Sequence, residues 1–107
     1  MKVVVKRAGQ MPETKEIENE LHALQEIVGG HIETFPMFDD VLCVCNEDGK
    51  GKDLPFNFIF ARETIVGDVF FCKAGYKDFE SLDEDEVKFF MDILTILEKL
   101  NAARNST

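Results

Sequence analysis

Three cysteines and a histidine are the residues of this chain that could together hold a metal ion. Cys43 and Cys45 are separated by one residue in an apolar run, Cys72 lies in a second apolar run, and His31 begins a third candidate strand. Structural zinc sites instead use cysteine pairs separated by two to four residues in tight turns. We therefore predict three buried, reduced thiols, with neither a metal nor another cofactor, as in a protein of the reducing cytoplasm.

A glycine- and lysine-rich segment, Gly49-Lys50-Gly51-Lys52, is the candidate for phosphate or calcium binding. It lacks the spacing G-x-x-x-x-G-K-[ST] of a phosphate-binding loop, and no helix pattern follows it directly. Asn46, Asp48 and Gly51 match only the opening of a calcium loop, because its twelfth position is Asn57 rather than glutamate. The segment is therefore interpreted as a turn.

The candidate catalytic groups have structural interpretations that fit their positions better. Ser81 and Glu84 have the spacing of a capping box, and Asp83–Glu86 places acidic charge in the first turn of a helix. The thiols lack the cationic or polar neighbours that activate a cysteine nucleophile. No catalytic residue is predicted, and we expect a protein that is not an enzyme.

The charge of the chain narrows its possible partners. It has 12 basic and 21 acidic residues, a formal net charge of −9. Such a charge disfavours direct binding to nucleic acids and to anionic membranes. No apolar run reaches the roughly 20 residues of a membrane span, and no signal peptide is recognisable, so we expect a cytoplasmic protein. The acidic surface either keeps the protein soluble or fits a basic protein partner.

The stretch Val41–Asn57 organises the predicted fold. Val41–Cys45 is apolar on both faces and is expected to be a central strand, followed by a polar turn. The other predicted elements are an edge strand over 2–7, a helix over 14–28, a strand over 31–35, a loop over 46–63, a strand over 64–74 with a bend at Gly67-Asp68, and a helix over 82–100. These elements predict one α+β domain over residues 1–100, a four-stranded, mostly antiparallel sheet with two packed helices in the order β-α-β-β-β-α, and a flexible tail over 101–107.

The last predicted helix is apolar over a wide arc. Its apolar side chains form two lines, Phe89, Ile93, Ile96 and Leu100 on one flank and Val87, Met91 and Leu94 on the other. A sheet covers only one side of a helix, so one line would remain exposed and mark an interaction site. The two interpretations are a homodimer through helix 82–100, and coverage of the second line by the first helix and the 53–62 loop.

Four segments of the chain carry a resemblance to a known family. They read L-Q-E-I-V-G-G-H-I-E (24–33), V-C-N-E-D-G-K (44–50), D-L-P-F-N (53–57) and I-V-G-D-V-F-F-C (65–72). Together they resemble the family called domain of unknown function 3846, over about residues 20–75. The chain departs from the family pattern at Lys52-Asp53, where Leu-Gly often precedes the Leu-Pro, and at Lys73. The resemblance implies a small protein of a bacterial phage or mobile element, and it supplies no catalytic residues.

The family's recurring positions fall mostly on turns of this chain. They are Gly29, Gly30, Asn46, Glu47, Gly49, Leu54, Pro55, Asn57 and Gly67. Glu47 and Asn57 are the two whose side chains are expected to do more than form a turn. The predicted contact residues for a ligand or partner are Asn46, Glu47, Asp48, Asp53 and Asn57.

Two functions are consistent with these residues. The first is a non-enzymatic, acidic interaction protein of a phage or mobile element, which binds a basic surface of a host or element protein, as a DNA mimic or a host-factor inhibitor would. The second is a domain that binds a small, nucleotide-like ligand in a pocket beneath the 46–57 loop. The effect of salt on binding distinguishes the two functions. Electrostatic binding of a protein partner should weaken steeply as salt rises, because exposed charges are screened within about 10 Å at 0.1 M salt, whereas binding in a pocket should change little.

Overall fold

The computed structural model of the chain describes residues 1–105. Its strands are β1 (Lys2–Lys6), β2 (Glu13–Glu16), β3 (Ile32–Pro36), β4 (Val41–Asn46), β5 (Phe56–Phe60), β6 (Glu63–Val66), β7 (Val69–Ala74) and β8 (Phe79–Glu80). Its helices are α1 (Leu21–Val28) and α2 (Glu84–Asn105). Neither of these described helices is long and apolar enough to cross a membrane.

Six strands of the described chain form one antiparallel sheet. Its order is β2-β1-β7-β4-β3, and the short β8 pairs with β7 beyond this path. β5 and β6 form a separate antiparallel hairpin. The predicted α+β class, with an antiparallel sheet and two helices, is confirmed. The predicted four strands and the order β-α-β-β-β-α are wrong, because further short strands occur in segments that lack an alternating apolar pattern.

The segment Glu13–Glu16 is a strand, although its sequence predicts part of a helix. All four side chains are exposed, and the strand pairs with β1 from Lys2 opposite Glu16 to Val5 opposite Glu13. A polar edge strand buries no alternate residue, so its sequence carries no strand period. The pairing makes β1 an interior strand instead of the predicted edge strand, and it confines the first helix to Leu21–Val28.

The central position predicted for β4 is confirmed, since β7 and β3 flank it. Val41 and Cys43 face the core beneath α2 and the β5–β6 hairpin, whereas Val44 faces the core beneath α1. Both faces of the sheet are therefore covered. This coverage explains why the three consecutive valines of β1 are all completely buried, with the middle one in the first core and its two neighbours in the second.

Gly67 divides the predicted strand over 64–74 into two strands of different sheets. Its φ is 75°, a left-handed conformation that glycine adopts without strain. Before it, β6 pairs with β5, a strand that lies inside the predicted loop over 46–63. After it, β7 enters the middle of the main sheet. The predicted bend at Gly67-Asp68 is confirmed, but the segments on its two sides do not form one strand.

α2 begins with a capping box between Asp83 and Glu86, not between the predicted pair Ser81 and Glu84. The Glu86 backbone N–H donates to Asp83 Oδ1, and the Asp83 N–H donates to Glu86 Oε1, both at 2.8 Å. Ser81 Oγ instead accepts a hydrogen bond from the backbone N–H of Lys2 at 2.9 Å. The serine therefore ties the start of α2 to the first strand of the sheet.

α2 turns one of its two predicted apolar lines toward the sheet. Leu94 is buried, and Val87 and Met91 pack against the same core. In the other line, Ile93 is partly buried and the remaining three members are exposed: Phe89, Ile96 and Leu100. The helix continues beyond residue 100 to Asn105, so this part of the predicted tail is helical, while residues 106 and 107 lie outside the described chain.

Candidate functional site

The loop between β4 and β5 is anchored at its start by the side chain of Asn46. This residue is 6% exposed. Its Nδ2 donates to the Val28 carbonyl at the end of α1 at 3.1 Å, and its Oδ1 accepts from the Asp48 N–H at 2.8 Å. The α1 end itself is closed by Gly29, whose left-handed φ of 77° confirms the predicted helix stop. Asn46 is therefore used to hold the loop against α1.

Two glycines allow the loop to pack closely on its surroundings. A Cβ at Gly30 would lie 2.8 Å from Asn46 Nδ2, and a Cβ at Gly67 would lie 2.8 Å from Leu54 Cδ1. The Gly67 N–H also donates to the Pro55 carbonyl at 2.7 Å. Leu54 and Pro55 thus close the loop against the turn between β6 and β7.

Asn57 follows the loop and is 2% exposed. Its Nδ2 donates to the carbonyls of Lys6 and Gly67, both at 2.8 Å, and its Oδ1 accepts from Lys6 Nζ at 2.9 Å. Lys6 Nζ also donates to Glu98 Oε1 at 2.8 Å. The side chain of Asn57 is therefore committed to contacts that join β5, β1 and α2.

The three predicted carboxylates of the loop face solvent. The Glu47 side chain is 58% exposed, and one of its oxygens lies 4.0 Å from His31 Nδ1. Asp48 and Asp53 are exposed as well. Asp53 has a left-handed φ of 55°, a conformation that aspartate tolerates better than most residues. The structure therefore separates the five predicted contact residues into two buried asparagines and three exposed carboxylates.

A small cavity of about 180 Å³ lies beside the loop. Its lining includes Glu33, Cys45, Asn46, Glu47, Lys50 and Glu63. Lys50 Nζ lies 3.4 Å from a Glu63 carboxylate oxygen, so its charge is already paired. Drug-sized ligands use pockets of about 300–1,000 Å³, which exceeds this volume. The surplus of carboxylates also makes the cavity a poor match for the phosphates of a nucleotide.

The cysteines are placed for packing. Burial raises the pKa of the Cys43 thiol well above its usual value, and the neighbouring Cys45 and Cys72 thiols raise it further. Burial and then Asp78 raise the pKa of Cys72 to about 12. A thiol with a raised pKa is a weak nucleophile at neutral pH. Within residues 1–105, no group of three or more His, Cys, Asp or Glu side chains could hold a metal ion.

The pattern of the sequence does not reveal the buried ion pair of Lys6 and Glu98. Each residue nevertheless gives a signal, because each is a charged residue at a position where an apolar one is expected. Lys6 directly follows three valines, and Glu98 continues the buried face of Phe90 and Leu94 at a spacing of four residues. A charge at such a position indicates a buried polar partner elsewhere in the chain.

Comparison with known proteins identifies a family that matches the chain. The family model described as Domain of unknown function (DUF3846) matches residues 1–95, a longer region than the four segments that carry the resemblance. No curated protein and no solved structure matches the chain. Because the match spans most of the 107 residues, the chain belongs to the DUF3846 family.

Proposed function

We propose that this domain is a non-enzymatic interaction protein that binds a basic surface of another protein through Glu47, Asp48 and Asp53. The observation that supports the proposal is the difference between the buried and the exposed polar side chains of the 46–57 loop. Asn46 and Asn57 are buried and engaged in internal hydrogen bonds, while the three carboxylates face solvent. Such a loop presents negative charge to solvent while its two asparagines hold it in place.

Backbone hydrogen bonds within the loop restrict its conformation. The Gly49 N–H donates to the Asn46 carbonyl at 3.2 Å, the Lys52 N–H to the Asp48 carbonyl at 3.0 Å, and the Leu54 N–H to the Gly49 carbonyl at 3.0 Å. A loop that is ordered before binding loses less conformational entropy when it meets a partner. This order supports a recognition surface for a protein.

The charge of the whole molecule supports the same proposal. A net charge of −9 accelerates the approach of a basic partner and repels nucleic acids. The family resemblance implies a phage or mobile element in a bacterial cell, and we propose this setting for the domain. There the domain would occupy a basic surface of a host or element protein, as a DNA mimic or an inhibitor of a host factor does.

The test compares protein capture from a bacterial lysate by the wild-type domain and by two variants of equal charge. The loop variant combines Glu47→Gln, Asp48→Asn and Asp53→Asn, and the control combines Glu18→Gln, Glu80→Gln and Glu84→Gln, which are exposed elsewhere. We expect a basic protein that binds the wild type and the control, whose association slows roughly tenfold with the loop variant and weakens steeply with salt. Equal binding by both variants would contradict the proposal.

A second candidate function is the binding of a small ligand in the cavity beside the loop. The sequence predicts a pocket beneath the 46–57 loop, and the cavity beside the loop supports this candidate. Its volume of about 180 Å³ and its carboxylates favour a small neutral or cationic ligand over a nucleotide. Isothermal titration calorimetry with ATP and with spermidine distinguishes a nucleotide ligand from a cationic one. Binding of spermidine that is lost in Glu63→Gln would favour this candidate, and binding of neither compound would count against it.

A further inference from the structure

The face of α2 that points away from the sheet carries three exposed apolar side chains. Phe89, Ile96 and Leu100 are 49%, 53% and 59% exposed. Their spacing of seven and four residues places them on one stripe of the helix, opposite the buried Phe90 and Leu94. Phe38 widens this apolar surface beside Phe89. The two ring centroids lie 5.3 Å apart, and Phe38 is 40% exposed. This stripe is a continuous apolar surface that the domain itself leaves uncovered.

An apolar groove runs beside the C-terminal half of this stripe. It has a volume of about 640 Å³ and lies between β5 and α2. Its apolar walls include Phe56, Ile59, Leu97, Leu100 and Ala103. Phe56 and Ile59 are 41% and 54% exposed, so the groove is open to an incoming aromatic side chain. The exposed surface of α2 therefore has a half-exposed aromatic ring at its Phe89 end and a groove at its Ala103 end.

The same face carries two charges of opposite sign on either side of Ile96. Asp92 precedes Ile96 by four residues and Lys99 follows it by three, and both side chains are exposed. At 100° per residue, both positions lie on the same flank of the stripe, about 60° and 80° from the line through Phe89, and Asp92 also lies 3.3 Å from Lys88 Nζ on its own helix. The face is thus complementary to itself when it is reversed end to end.

We propose that the partner of this face is a second copy of the chain, bound with its α2 antiparallel and with the two-fold axis close to Ile96. The axis brings residues equally far from Ile96 in opposite directions face to face. Phe89 of one copy lies opposite Ala103 of the other, so its ring meets the groove that Ala103 lines. Asp92 of each copy lies beside Lys99 of the other. Each contact occurs twice.

A parallel arrangement of two copies does not have this complementarity. Because Asp92 and Lys99 share one flank of the stripe, a parallel two-fold pair would place them on opposite sides of the interface, where neither meets its opposite charge. It would also place the two Phe89 rings together and leave both grooves empty. The charges and shapes of the face therefore favour the antiparallel pair.

Light scattering over tens to hundreds of micromolar tests the dimer. We expect a mass that approaches twice the 12.2 kDa of the chain as concentration rises. Ile96→Lys should abolish dimerisation and keep the fold, because this side chain is half exposed. Asp92→Lys should weaken the dimer roughly tenfold, and the added change Lys99→Asp should restore it. A strict monomer throughout, or a dimer that survives Ile96→Lys, would overturn the proposal.

Cysteine cross-linking tests the antiparallel orientation separately. Ile96→Cys places the new thiols of two copies next to the axis, so oxidation should join them. Asp85→Cys is the control, because in the antiparallel pair its two thiols lie about 33 Å apart along the helices, at a rise of about 1.5 Å per residue. The wild type under the same oxidation measures any contribution of Cys45, which is partly exposed. Equal cross-linking of both variants would indicate parallel helices and would overturn the antiparallel pair.

Discussion

Lys6 Nζ lies 2.8 Å from a carboxylate oxygen of Glu98, and the two side chains are only 1% and 8% exposed. The pair joins the end of β1 to the C-terminal half of α2. Lys6 also donates to the carbonyl of Arg7 and to Asn57 Oδ1, so its three ammonium protons all have acceptors. A buried ion pair is costly to break from one side, because the remaining partner keeps an uncompensated charge. The position of α2 on the sheet therefore depends on both residues.

Removing one partner of this pair should destabilise the domain strongly. We expect Lys6→Met to lower the free energy of unfolding by about 3–5 kcal/mol, and the double change Lys6→Met with Glu98→Leu to recover much of that loss. Urea unfolding followed by circular dichroism gives both values. The exposed pair Lys50–Glu63 is the control, since Lys50→Met should cost less than about 1 kcal/mol. Similar losses in Lys6→Met and Lys50→Met would contradict the prediction.

The parts of the fold that could be predicted are those whose burial follows a simple period. β4 is apolar on both faces, and this pattern correctly indicates an interior strand. β5 has no such pattern, because a bulge between Phe56 and Phe58 buries the adjacent Asn57 and Phe58 together. β2 is exposed at every position. Its pairing with β1 depends on a partner and not on its own sequence.

The candidate site could likewise be predicted only in part from the local sequence. Polar turn residues after β4 correctly indicate an exposed loop, and its carboxylates face solvent as such residues usually do. The buried hydrogen bonding of Asn57 could not be predicted from the neighbouring sequence, because its partner Lys6 lies 51 positions away. The contact is created by the fold, which brings β1 and β5 together beneath α2.

Asn57→Ala is expected to act on stability. The change removes three hydrogen bonds and leaves the Lys6 ammonium without one acceptor in a buried site. At about 1 kcal/mol for each bond, we expect a loss of about 3 kcal/mol in the free energy of unfolding. Asn19→Ala is the matched control, because Asn19 donates one exposed hydrogen bond, to the Phe79 carbonyl. A loss in Asn57→Ala no larger than the control's would show that its hydrogen bonds are dispensable.

Gly67→Ala should cost more than the same change at Gly9. Both glycines have a φ of 75°, so both substitutions carry the strain of a left-handed residue, about 1–2 kcal/mol. At Gly67 the new Cβ would also lie 2.8 Å from Leu54 Cδ1, whereas at Gly9 nothing lies within 4 Å. Overpacking of this kind adds about 1–3 kcal/mol. Thermal unfolding measures the difference between the two variants, and equal melting temperatures would contradict close packing of the loop.

The buried thiols should make the domain less stable at alkaline pH. Burial raises the pKa of Cys43 and Cys72, the latter to about 12, whereas a thiol of the unfolded chain ionises near 9. Between these values the unfolded state has released protons that the folded state still holds, so the free energy of unfolding falls as pH rises. Within this window each thiol steepens the fall in the free energy of unfolding by up to roughly 1.4 kcal/mol per pH unit. Well below the window it has no effect on the slope.

Two variants isolate this alkaline effect from ordinary packing. Cys72→Ala should be less stable than the wild type at pH 7, because it leaves a cavity, but its stability should fall less steeply above pH 9. Val44→Ala also removes buried apolar volume from the same core, yet keeps every thiol, so its alkaline slope should match the wild type. Urea unfolding at a series of pH values gives the slopes. An unchanged slope in Cys72→Ala would mean that this thiol does not resist ionisation in the folded protein.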